Sequence, residues 1–153
     1  MKFVTINDSL APIRLLRQAE TVDDAGLDRF LSREHAFKRE ATEQGERWLD
    51  VFDCREFTGL DADQREAALE WLSANVELFA ETSLGVAIAV PPQLEGNAQR
   101  FASVLAHAGV PTHVGTDLES ALYWALDRVY DEEVDVAPAL VLGGIDALRQ
   151  TLA

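Results

Sequence analysis

Cysteine and methionine occur once each in the 153 residues, and lysine only at Lys2 and Lys38. A lone Cys54 cannot close an internal disulfide, and its place beside a predicted strand end suits a small apolar side chain in a reducing compartment. Apolar runs are short: none approaches the ~20 residues of a membrane span. Met1 to Thr5 has neither the basic start nor the apolar stretch of a signal peptide, so a cytoplasmic protein is expected. No nucleophile elbow, Walker loop, dinucleotide fingerprint or Cys-x-x-Cys pair occurs, and Gly143-Gly144 lacks the further glycine and lysine of a phosphate loop. Positive charge is scarce as well. Thirteen basic against 27 acidic side chains give a net charge of −14, which repels phosphate backbones and anionic membranes. Arg14 with Arg17, and Arg33 with Lys38 and Arg39, are the nearest thing to basic groups, and acidic residues break up the second. Neither nucleic acid nor a membrane is the expected partner, and the acidity reads as solubility.

What is present is regular alternation. The length suits one domain that buries roughly 68–70% of its unfolded surface, with no need for a metal or disulfide. Phe3 to Ile6 is β-prone, Asn7 to Pro12 is turn chemistry, and Ile13 to Ala19 is a second strand. Thr21 with Asp24 has capping-box spacing and opens a helix that Gly45 ends, with Leu27, Phe30, Leu31 and Phe37 on its apolar side. Trp48 to Asp53 is a short strand. Asp61 with Gln64 starts a long helix whose Leu69, Leu72, Val76 and Phe79 recur at three and four residue steps. Leu84 to Val90 is a continuous apolar strand covered on both faces, stopped by Pro91-Pro92. Ala98, Phe101, Leu105 and Ala108 form a helix up to Gly109, and Val110 to Gly115 is a strand. Thr116 with Glu119 opens a last helix with Leu118, Leu122, Ala125 and Val129 on its inner side.

The expected fold is therefore α/β: a small mixed, largely parallel sheet of about five strands flanked by about four helices, its opening pair antiparallel. Residues 1–135 make the domain. Residues 136–153 are an apolar tail in which Ile145, Leu148 and Leu152 share one helical face. The tail either caps the core or docks a second copy or another protein.

Trp48 to Val129 resembles the STAS superfamily, in particular the SpoIIAA-like bacterial proteins related to anti-sigma-factor antagonists. The resemblance rests on Leu49-Asp50-Val51-Phe52-Asp53 with the loop to Asp61-Ala62-Asp63-Gln64-Arg65, on Leu84 to Val90, and on Thr116 to Ala125. It covers a little over half of the chain, through the order and spacing of the three stretches. It implies a non-enzymatic regulatory or scaffolding module that binds a protein through the loop and helix start, with Thr58, Asp61, Ala62 and Arg65 as contacts. In the antagonist branch a serine at this helix start is phosphorylated. Ala62 stands there, so the phosphoswitch is not expected.

Other chemistry is thinly represented. Asp53 at a strand end resembles a receiver-domain phosphoacceptor, but the helix between the first two strands and the lysine after the last are missing, and Asp53 is expected to order the loop. Asp50, Asp53, Asp61 and Asp63 make a poor magnesium set, because strand alternation turns Asp50 away and Asp61 serves as a cap. His35, His107 and His113 do not have metal-ligand spacing. No cofactor or metal is expected. Trp71 and Trp124 lie on helices as possible ligand or partner contacts. With Phe79 and Phe101 they are the expected lining under a rival reading, a carrier of an apolar small molecule or lipid.

Overall fold

The computed structural model describes residues 3–152. Its strands are β1 (Val4–Leu10), β2 (Ile13–Gln18), β3 (Trp48–Asp53), β4 (Ser83–Ala89) and β5 (Thr112–Gly115). Its helices are α1 (Asp24–Gln44), α2 (Ala62–Thr82), α3 (Glu95–His107), α4 (Leu118–Tyr130) and α5 (Pro138–Thr151). The sheet runs in sequence order from β1 to β5; β1 and β2 are antiparallel and every later pair is parallel. The fold is the expected mixed, largely parallel α/β sheet, with the tail adding a fifth helix.

Topology dictates which helix covers which face. Each parallel step advances one place across the sheet, and right-handed crossovers then put α1, α2 and α3 on the same side. The opposite face would stand bare without α4 and α5. Ala121, Leu122, Ala125 and Val129 of α4 and Leu140 and Leu148 of α5 pack there on Ile13, Leu15, Leu49 and Val51. The tail thus packs against the domain's own main core. Leu140 and Leu148, on either side of a non-helical break at Gly144 (φ 53°) within α5, are wholly buried, whereas Val141 and Leu142 before the break stay exposed.

Local chemistry sets the element ends. Gly45 takes a left-handed φ of 69° after α1, and the Glu46 N–H reaches back to the Ala41 carbonyl at 2.8 Å, the arrangement glycine permits at a helix end. Asp61 and Gln64 form the expected reciprocal capping box on α2. Two other caps sit away from the expected residue. Asp23, and not Thr21, accepts from the Gly26 N–H at 2.6 Å, and Asp117, and not Thr116, accepts from Glu119 at 3.0 Å. Carboxylates add charge to the hydrogen bond at the positive end of the helix dipole. β1 continues to Leu10, past the turn expected at Asn7, because an irregularity between Asn7 and Leu10 keeps the strand paired with β2. In β4, Trp48 pairs with Ser83 but Leu49 with Gly85, so Leu84 is an extra residue. This bulge leaves Leu84 in the same cluster as Ala87 and Ala89, and turns Val86 toward α2 and α3.

Candidate functional site

The two faces of the sheet are filled differently. The α4/α5 side buries the larger apolar cluster, and on the other side a cavity of about 190 Å³ remains between the strands and α1 to α3. Its floor is Phe52, Val86, Ile88 and Val90. Leu27, Phe30 and Leu31 of α1, Trp71, Leu72 and Phe79 of α2, and Phe101 and Leu105 of α3 form the walls. Native interiors seldom leave such space, and an apolar void of this kind forgoes the dispersion contacts that filling it would supply.

The polar groups on the chamber wall are Gln18, Glu34, Cys54, Arg65 and Asn97. The Cys54 thiol donates to the Gln18 side-chain oxygen at 2.8 Å. Burial pushes the Cys54 pKa up, and the neighbouring Asp53 carboxylate adds to the shift. Glu34 also reaches the chamber, but both its oxygens accept from Arg14, at 3.2 and 2.7 Å.

That contact belongs to a buried network of two cations and two anions. Arg14 and Asp50 are register partners on β2 and β3, while Glu34 and Lys38 lie one turn apart on α1. Lys38 Nζ lies 2.7 Å from Asp50 Oδ2, and Arg14 donates to Asp50 Oδ1 at 3.2 Å. The Arg14 guanidinium also lies 3.7 Å from the Phe37 ring centroid. Burial alone would raise the Asp50 pKa, but the Lys38 and Arg14 charges outweigh it and hold it below the usual carboxylate range. Burial likewise opposes the Arg14 charge, and Asp50 and Glu34 reverse the effect so that its pKa rises. The network joins α1 to the sheet beside the chamber.

The loop from Cys54 to Asp61 closes one end. Thr58 binds the Glu20 carbonyl through its N–H at 2.8 Å and also through its hydroxyl, which ties the loop to the link before α1. Phe57, Gly59 and Leu60 of this loop line the cavity. Asp53 is buried and orders the loop chiefly through Arg55, which donates to its two oxygens at 2.8 and 3.0 Å. Of the residues expected to contact a partner, Thr58, Asp61 and Ala62 are exposed. Arg65 instead turns toward the cavity and is half-buried, its nearest acceptor the Leu60 carbonyl at 3.5 Å.

Of the four aromatics expected to line an apolar site, Trp71, Phe79 and Phe101 meet in the chamber. Trp124 does not: it packs with the cluster on the opposite face and stacks on His113 at 5.7 Å between centroids. A Cβ on Gly85 would lie 2.9 Å from the Trp124 ring, so glycine lets this indole lie against β4. His107 bonds the Ser103 carbonyl at 2.8 Å near the end of α3. Among the described residues no group of three or more His, Cys, Asp or Glu could hold a metal ion.

Outside the chamber lies a second, wider cleft of about 460 Å³. Phe3 and Phe30 border both spaces, and their rings meet edge to face at 5.5 Å. Arg29, Arg33 and Asp23 supply the charge in the outer cleft. Sequence reasoning found neither the arginine pair nor the buried network. The sequence places Arg33 close to Lys38 and Arg39, but Lys38 is buried in the core and Arg33 lines the cleft.

Searches of family models, of characterised proteins and of solved structures return no match to the chain. Among the described residues no helix is long and apolar enough to cross a membrane.

Proposed function

We propose that the chain is a non-enzymatic binding module that takes up a small apolar molecule between the sheet and α1 to α3. The apolar chamber carries this reading. An engineered apolar cavity of about 150 Å³ in another protein stays dry and binds benzene, so about 190 Å³ suits a ring or a short aliphatic chain. Two of the polar groups at its wall are already paired, Glu34 with Arg14 and Cys54 with Gln18, while Arg65 and Asn97 also line it. Entry of an apolar group therefore breaks neither of those bonds and gains the missing dispersion contacts.

Octanol titration, followed by Trp71 fluorescence in a Trp48→Phe, Trp124→Phe background, tests the proposal. Saturable change is expected, and Ala98→Phe, which inserts a ring into the chamber wall, should abolish it. A linear, unsaturable response in folded protein would remove this reading.

The STAS-like reading remains a second proposal: a SpoIIAA-like regulatory or scaffolding surface at the α2 start. The exposure of Thr58, Asp61 and Ala62 on a loop held by the Glu20 carbonyl favours it. A specific protein captured by the wild type but lost on Asp61→Lys would support that surface; capture unaffected by the change would count against it. Self-association through residues 136–153 would have to use what α5 leaves uncovered, chiefly Val141 and Leu142.

A further inference from the structure

We infer that the ligand is an amphiphilic carboxylate, its chain in the apolar chamber and its head group between Arg29 and Arg33. The inference rests on the apolar-ligand reading and specifies which chemical class the site takes. Its basis is two unlike spaces on either side of a shared wall, the Phe3 and Phe30 rings that meet edge to face at 5.5 Å. The inner one is walled by hydrocarbon and aromatic rings; the outer one carries two guanidinium groups, and Phe3 and Phe30 border both.

Arg29 and Arg33 are one helical turn apart and both face the outer cleft. Among the described residues neither forms an ion pair with a carboxylate, although 27 acidic side chains are available in the chain. The one acidic group in the cleft, Asp23, is occupied in part by capping α1 through the Gly26 N–H at 2.6 Å. The cleft lining thus carries two positive groups against one negative on a protein whose net charge is −14. The planar fork of a guanidinium matches the two oxygens of a carboxylate. Both arginines are exposed, so the head group stays partly hydrated and avoids the desolvation penalty of a buried charge. A neutral apolar ligand would use the chamber and leave the arginines idle; a compact anion would use the arginines and leave the chamber empty.

Paired titrations of the full chain with octanoate and octanol at matched ionic strength test the inference, read by Trp71 fluorescence in the same Trp48→Phe, Trp124→Phe background, which serves as the parent for every variant. Octanoate is expected to bind about tenfold tighter than octanol, the scale of a charge-assisted contact at a solvated site. Arg29→Gln with Arg33→Gln should erase that advantage while octanol affinity stays unchanged. Added sodium chloride should weaken octanoate alone. Equal affinities for the two ligands with both arginines present would overturn the head-group assignment and leave the apolar chamber standing. Loss of the advantage on Arg65→Gln, with the double variant unaffected, would overturn it by placing the head beside Arg65. No saturable binding of either ligand would overturn this inference together with the reading beneath it.

Discussion

Lys38 Nζ and Asp50 Oδ2 are 2.7 Å apart, with both side chains withdrawn from water. Each also has a second countercharge or ring nearby: Arg14 donates to Asp50 at 3.2 Å, and the Phe79 ring centroid lies 4.7 Å from the Lys38 ammonium. Removing one member leaves an opposite charge in low dielectric with too few partners. Lys38→Met is therefore expected to lower unfolding free energy by about 3–5 kcal/mol, the usual consequence of breaking a buried pair. Lys38→Met combined with Asp50→Asn should lose less than the sum of the two single changes. Urea denaturation of the four proteins measures both effects.

The same network sets the response to acid. The Asp50 pKa is depressed in the folded chain, so the unfolded chain takes up this proton first as pH falls. The stabilisation is present in full above the ordinary carboxylate pKa of about 3.9 and is lost as pH falls from there toward the folded value. Denaturation midpoints between pH 5 and pH 2 should fall steeply in the wild type. Asp50→Asn, although less stable at pH 5, should show the shallower fall.

Cys54 titrates in the opposite sense. Its raised pKa keeps the folded thiol protonated at a pH where the unfolded thiol ionises. Stability should decline as pH rises through the ordinary thiol value of about 8.5 toward the folded one, and Cys54→Ala should flatten that decline. A thiol buried beside the chamber and bonded to Gln18 is also expected to resist iodoacetamide until denaturant is added. Mass spectrometry of the alkylated protein measures this directly.

Much of the frame could be read from local sequence because local chemistry determines it. The Asp61 and Gln64 box, the Gly45 stop and the apolar run from Leu84 to Val90 each act within a few residues. The capping aspartates were missed because Thr21 and Thr116 offer the same spacing pattern one or two positions away. Arg14, Glu34, Lys38 and Asp50 come from three elements, and only strand register and the α1 crossover bring them together. Trp71 and Trp124 look alike on helical wheels, yet the crossovers place α2 and α4 on opposite faces of the sheet. A cavity is harder still to anticipate, since it records where packing between layers fails to close and no single residue encodes it.

Methyl-resolved NMR of the full chain with octanol added tests most directly whether that unfilled space is a binding site. Saturable shifts are expected at Leu27, Leu72, Ile88 and Leu105, which line the chamber, with Leu122, Leu140 and Leu148 across the sheet unmoved. Saturable shifts confined to that second group, or none at the first, would contradict binding in the chamber.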